Sequence, residues 1–187
     1  MIRCDREDGL WTVTLDRPDK ANALTEAMLS ELAEIAEAAH GEARALILTG
    51  TGKAFSAGMD LEAARTGLAI SPVWERLSGA IAALPCLSVA ADGTGAFYPV
   101  MRLGFRPQPS DPARLAALVG PARAKMVLLA GAKLRTEEAL AWGLFDRVVP
   151  REDLAEAARG LVADSLAADR DHAAALKAML RPHPAAV

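Results

Sequence analysis

Near the N-terminus, Trp11, Val13 and Leu15 alternate with Thr12 and Thr14, the period-two pattern of a strand with one buried face. Two such runs, Ile2 to Glu7 and Leu10 to Leu15, flank Asp8-Gly9, a dipeptide suited to the tight turn of a β-hairpin. Arg17-Pro18-Asp19 ends the second strand. Thr25 then reads as the cap of a helix to about His40, with Met28, Leu32, Ile35 and Ala39 on one face and Gly41 as its stop. The short apolar run Ala45 to Thr49 reads as a buried strand, so the chain opens strand, strand, helix, strand.

The same punctuation continues downstream. Ser71-Pro72 predicts a cap with proline at the first helical position. Val73, Leu77, Ile81 and Leu84 keep helical spacing up to Pro85, and Leu87 to Ala91 reads as a further buried strand. Asp111-Pro112 and Gly120-Pro121 bracket two short helices, Thr136-Glu137-Glu138 starts another that ends near Gly143, and Phe145 to Val149 reads as a short strand. From Arg151 onward the chain is Ala-rich and helical, with Leu154, Ala158, Leu161 and Ser165 along one weakly apolar face suited to a neighbouring element or subunit.

Composition narrows the class. The 187 residues are 52% hydrophobic with a mean hydropathy of +0.16, ample for a packed core, and only 4% aromatic, so packing rests on Ala, Leu and Val. A net charge of −3 argues against a general nucleic-acid binder, while local cations still permit an anionic ligand. Cys4 and Cys86 read as inert thiols, and His40, His172 and His183 lack ligand spacing, so no metal site is expected. The polar N-terminus MIRCDREDGL has no secretory pattern, and no apolar run reaches the roughly 20 residues of a bilayer span, so a cytoplasmic protein without membrane contact is expected.

The chemistry concentrates in residues 45–61, ALILTGTGKAFSAGMDL. A strand runs into Gly50 and Gly52, and the small-residue turn Ser56-Ala57-Gly58 opens a helix at Asp60. Such a turn leaves backbone N–H groups free to hold a developing oxyanion or a phosphate.

GKAFSAGMDL resembles the signature of the enoyl-CoA hydratase/isomerase family, the crotonase superfamily. VTLDRPDKANALT (Val13 to Thr25) is similar to that family's first strand and turn, and GPARAKMVLLAGAKLRTEEALAWGLFDRVVP (Gly120 to Pro150) to its passage into the C-terminal helices. The resemblance implies an α/β fold, a crotonase-like spiral of ββα units. It divides the chain into an N-terminal core over 1–110, shortened near 91–97, and a mainly helical region over 111–187. It also implies assembly as a homotrimer or a dimer of trimers through the helical region. The substrate would be an acyl-CoA thioester, with coenzyme A as part of the substrate and no permanently bound cofactor.

In the family, two backbone N–H groups stabilise the enolate or oxyanion at the thioester carbonyl. The first falls on Met59, whose side chain is immaterial to that role. Lys20, Ala21, Lys53, Ala57, Gly58, Asp60 and Leu61 fall where relatives hold the adenine and phosphate end of coenzyme A. Lys20 and Lys53 read equally as solvated surface lysines. The second donor belongs on a Gly-rich turn after Leu87-Ser88-Val89-Ala90-Ala91, where Gly93 and Gly95 compete for it.

A helix-plus-strand passage of roughly twenty residues is missing at this point, between Ala91 and Gly104. One of the two glutamates that hydratases use for proton transfer lies in that passage. The other falls on Val100, which carries no proton. Asp92 is the nearest substitute acid, and also an ordinary turn residue before glycine; Asp60 reads equally as a helix-start acid. Three readings follow: an acyl-CoA enzyme with altered chemistry, a catalytically inactive homologue that binds coenzyme A or another subunit, and a chain lacking its catalytic segment.

Overall fold

The computed structural model describes residues 1–84 and 89–179. The Asp8-Gly9 turn closes the expected hairpin, with β1 (Ile2–Glu7) antiparallel to β2 (Leu10–Leu15). Helix α1 (Glu26–Glu42) crosses back, and β3 (Ala45–Gly50) lies parallel to β2, which becomes the central strand of a three-stranded sheet. The Thr25 hydroxyl accepts from the Met28 N–H at 3.3 Å, satisfying one of the amides that a helix start leaves open. Val13, Leu15, Met28, Leu29 and Leu32 form a core with Leu24, Leu68 and Val73. Burying a side chain the size of Leu29 contributes about 1.5–3 kcal/mol.

Three local expectations are corrected here. Thr14 and Leu10 are buried along with Trp11, Val13 and Leu15, so both faces of this central strand carry buried side chains. Strand β3, at the edge of that sheet, is half-buried rather than buried. Gly41 lies inside α1, which ends at Ala43, where the N–H bonds back to the Ala39 carbonyl at 3.0 Å.

Helix α2 (Leu61–Arg65) is a single turn, followed by α3 (Val73–Ala83). The Ser71 hydroxyl accepts from the Val73 N–H at 3.4 Å, with Pro72 at the capping position rather than the first helical one. Helices α1 and α3 pack together and share a forked ion pair, Arg76 to Glu37, at 2.8 and 2.6 Å.

The chain next forms β4 (Val89–Ala91), β5 (Ala96–Phe97), α4 (Val100–Leu103), α5 (Asp111–Val119), α6 (Pro121–Leu128), β6 (Lys133–Leu134), α7 (Thr136–Ala141) and β7 (Arg147–Val149). Strand β4 pairs in parallel with β7, and β5 pairs antiparallel with β6. Val127, Leu134 and Ala139 centre a second core with Leu115, Tyr98 and Trp142. The Tyr98 hydroxyl donates to Asp111 Oδ2 at 2.7 Å, and burial, reinforced by that carboxylate, pushes the phenol well above its usual range. Of the strand expected over Leu87 to Ala91, Leu87 and Ser88 lie outside the described residues, as do Pro85, Cys86 and His183.

The Ala-rich tail forms two helices, α8 (Leu154–Ala167) and α9 (Arg170–Met179), rather than one. Asp169 separates them, its carboxylate accepting from the Asp171 and His172 N–H groups at 2.9 and 3.2 Å. Leu154, Ala158, Leu161 and Ser165 are half-buried on α8, as their spacing predicts. Among the described residues no helix is long and apolar enough to cross a membrane.

Two compact units result: Met1–Pro85 with Val162–Val187, and Cys86–Leu161. They do not coincide with a division at 110/111. The reason is strand pairing, since β4 and β5 find their partners β7 and β6 beyond that point.

Candidate active site

Within the first unit, the loop after β2 and the loop after β3 are laced together. The Ala57 N–H donates to the Ala21 carbonyl at 2.9 Å, the Leu24 N–H to the Gly58 carbonyl at 2.8 Å, and the Asp60 N–H to the Leu24 carbonyl at 2.9 Å. These bonds make a one-rung parallel bridge between Leu24 and Met59. At its centre lies Asn22, fully buried and in the left-handed region at φ 55°. Its amide donates to the carbonyls of Thr51 and Ala54 at 2.9 and 2.8 Å and accepts from the Arg17 N–H at 2.8 Å. Gly50 admits this packing: a Cβ there would sit 2.5 Å from the Phe55 carbonyl oxygen and 2.8 Å from the Asn22 amide nitrogen.

The bridge decides where each amide of the 57–60 turn points. Those of Ala57, Gly58 and Asp60 are all taken, by Ala21, the Ser56 hydroxyl and Leu24 respectively. The Met59 N–H donates to no group among the described residues. The Gly58–Met59 peptide is trans, so its N–H points opposite to its C=O, and that C=O is committed to Leu24. The Met59 N–H is therefore directed away from the first loop. Its half-buried side chain meanwhile packs against the core of Val13, Leu24 and Met28.

Asp60 is fully engaged by the fold. One carboxylate oxygen accepts from the Glu62 and Ala63 N–H groups at 3.0 and 3.2 Å, capping α2. The other meets Arg17 at 2.6 Å in a mostly buried ion pair, and Arg17 also donates to the Ala23 carbonyl at 3.0 Å. The Arg17 hydrogen bond, helped by the backbone N–H groups, holds the Asp60 carboxyl below its ordinary range against the opposing effect of burial. Lys20, Ala21, Lys53 and Ala57 are exposed around the paired loops, and Leu61 exposes 75% of its surface at the start of α2.

Gly93 and Asp92 belong to the second unit. The Gly93 N–H donates to Asp92 Oδ1 at 2.9 Å, an exposed bond to the side chain of the preceding residue. The Asp92 N–H donates to the Val149 carbonyl at 2.9 Å and the Thr94 N–H to the Ala91 carbonyl at 3.1 Å, so the shortened passage closes as a hydrogen-bonded turn. Val100 is buried at the start of α4. Among the described residues, no three of His, Cys, Asp and Glu gather as metal ligands.

The profile of the enoyl-CoA hydratase/isomerase family matches residues 5–73 and 78–184, which takes in both laced loops and the turn at Met59. The chain belongs to the enoyl-CoA hydratase/isomerase family. It is similar to a protein named probable enoyl-CoA hydratase from Rhodobacter capsulatus, 36% identical over 179 residues, covering 81% of this chain and 70% of that one. A carnitinyl-CoA dehydratase from Citrobacter koseri is 32% identical over 185 residues, covering 83% of this chain and 70% of its own. The crystal structure of an enoyl-CoA hydratase from Mycobacterium avium superposes with a TM-score of 0.80 at 28% identity, covering 95% of this chain and 86% of that one. The α/β crotonase fold is thereby established.

Of the residues expected from the enoyl-CoA hydratase/isomerase signature, Ala21, Ala57, Gly58, Met59 and Asp60 come together on the two laced loops. Sequence reasoning assigned Asn22 no role, Arg17 only the end of a strand and Ser56 only a place in a small-residue turn, although all three lie in the quoted motifs. Nothing in their spacing marks them, because their partners lie up to 43 residues away.

Proposed function

We propose that this family member binds an acyl-CoA thioester and stabilises the enolate at its carbonyl, with the Met59 N–H as one hydrogen-bond donor. The observation that supports this reading is the Met59 amide, which donates to no group among the described residues while those of Ala57, Gly58 and Asp60 are all engaged. A donor fixed before charge develops is worth about 3 kcal/mol at a transition state, because it needs no reorganisation. Lys20, Ala21, Lys53, Ala57, Gly58 and Leu61 would supply the surface for the coenzyme A portion, with the two exposed lysines facing phosphate. Coenzyme A enters as part of the substrate. Asp60, committed to Arg17 and to α2, contributes by holding the loop rather than by touching the ligand.

Hydration of an enoyl double bond needs a positioned acid and base, and Val100 stands where the family carries one of them. Enolate formation without hydration fits this residue set better, and Asp92 is the carboxylate to test as a relocated proton carrier. A second reading, an inactive coenzyme A-binding homologue, is favoured by the Gly93 N–H being closed off by Asp92. The bonded turn from Ala91 to Thr94 speaks for a naturally shortened passage over a chain deprived of its catalytic segment. The same proposal extends to a cytoplasmic protein of fatty acid metabolism that assembles as a homotrimer or a dimer of trimers.

Titration with a 3-oxoacyl-CoA, followed by ultraviolet difference spectroscopy, tests the reading. Saturable binding with an enolate-like absorbance supports it. No binding at near-millimolar ligand overturns it.

A further inference from the structure

Behind the Met59 amide stand two hydrogen bonds in series. The Gly58 N–H donates to Ser56 Oγ at 3.0 Å, and that hydroxyl donates onward to the Asn22 carbonyl at 2.9 Å. Asn22 is a fixed anchor: it is fully buried, and its side-chain amide is committed to Thr51, Ala54 and the Arg17 N–H. Ser56 therefore both accepts and donates, and it connects an immobile backbone carbonyl to the glycine that precedes Met59.

The position of that glycine is what makes the connection consequential. Gly58 sits at φ 82° and, having no Cβ, tolerates a wide range of backbone angles on both sides of its Cα. The bond that its carbonyl accepts from the Leu24 N–H fixes one end of the Gly58–Met59 peptide. The bond from its N–H to Ser56 fixes the preceding peptide. The Leu24 bridge holds the peptide that carries the Met59 N–H, and the Ser56 hydroxyl holds the peptide before Gly58; without the hydroxyl, that second tether on the Gly58 backbone is lost.

We propose that Ser56, anchored on Asn22, is a positioning residue that steadies the direction which the Leu24 bridge gives the Met59 N–H. Its catalytic consequence rests on the acyl-CoA reading given above, while the hydrogen bonds themselves belong to the free protein. Ser56 touches no reacting atom in this scheme and acts through Gly58.

The test compares Ser56→Ala with Ser56→Thr, which keeps the hydroxyl. In ¹⁵N-labelled free protein, the Gly58 amide of Ser56→Ala should exchange with solvent at least about tenfold faster than in the parent or in Ser56→Thr. With a 3-oxoacyl-CoA, Ser56→Ala should keep its dissociation constant within about threefold, while the enolate-like absorbance at saturation falls about tenfold. Ser56→Thr should restore that absorbance. A merely structural serine would lower the melting temperature and leave the saturating absorbance per bound ligand unchanged. That result, or unchanged Gly58 exchange in Ser56→Ala, overturns the proposal. If the parent binds no 3-oxoacyl-CoA, the acyl-CoA reading fails, and Gly58 exchange alone decides the role of Ser56. Asn22→Gly retains the left-handed backbone and removes the anchoring amide, so it should accelerate Gly58 exchange as well; unchanged exchange there also counts against the anchor.

Discussion

Asp60 illustrates how one residue does two jobs that sequence separates. Its place before a helical turn marks it as a cap, and it caps α2. Its second oxygen holds Arg17, and no local pattern announces a partner 43 positions away. The pair has a consequence for pH. The folded carboxyl is held below its unfolded value, so its stabilisation is complete above about pH 4 and is lost as pH falls through the folded value. Glu37, held down by the hydrogen bond from Arg76, acts in the same direction. The melting temperature of the parent should therefore fall on acidification below about pH 4. Asp60→Asn, which keeps a good capping group but loses the charge, should melt lower than the parent at neutral pH and show a shallower acid decline. Equal slopes for the two proteins in thermal melts across that range would refute the assignment.

At the scale of elements, those built from local signals came through best. The hairpin and the start of α1 were legible because turn chemistry, alternation and capping act over a few residues. Thr25→Ala should cost about 1 kcal/mol in urea denaturation, through the lost cap. Leu29→Ala, at a fully buried site, should cost about 2–5 kcal/mol. Gly50→Ala should be worse tolerated than either, since backbone rather than a flexible side chain meets the new methyl. It should also weaken 3-oxoacyl-CoA binding if the laced loops form the site, which a side-by-side titration and melt would show. What local signals missed has a common cause. Gly41 has a stop's sequence but the helix runs on past it to Glu42, and alternation along β2 shows only one apolar face although Leu10 and Thr14 on the other are buried too. Helix α2, one turn long, is too short to stand without the Asp60 cap and the loop pairing beneath it.

Across the whole molecule, the proposed function carries a definite activity profile. Conversion of an enoyl-CoA to its hydrated product should be slower than in relatives bearing both glutamates by at least about 10²-fold, measured as loss of enoyl absorbance. Restored hydration at a relative's rate would show that an unrecognised acid–base pair serves instead. The amino-acid sequence by itself determined the family, the α/β class, the order of most elements and the place of the small-residue turn Ser56-Ala57-Gly58, because these are written in short motifs and in spacing. Tertiary structure alone decided the division into units, since β4 and β5 pair with strands far along the chain. It alone decided which amides find partners: those of Ala57, Gly58 and Asp60 donate to Ala21, Ser56 and Leu24, that of Gly93 donates to Asp92, and the Met59 N–H donates to no group among the described residues. An amide's availability depends on what every nearby acceptor is doing, and acceptors are brought near one another only when distant segments pack.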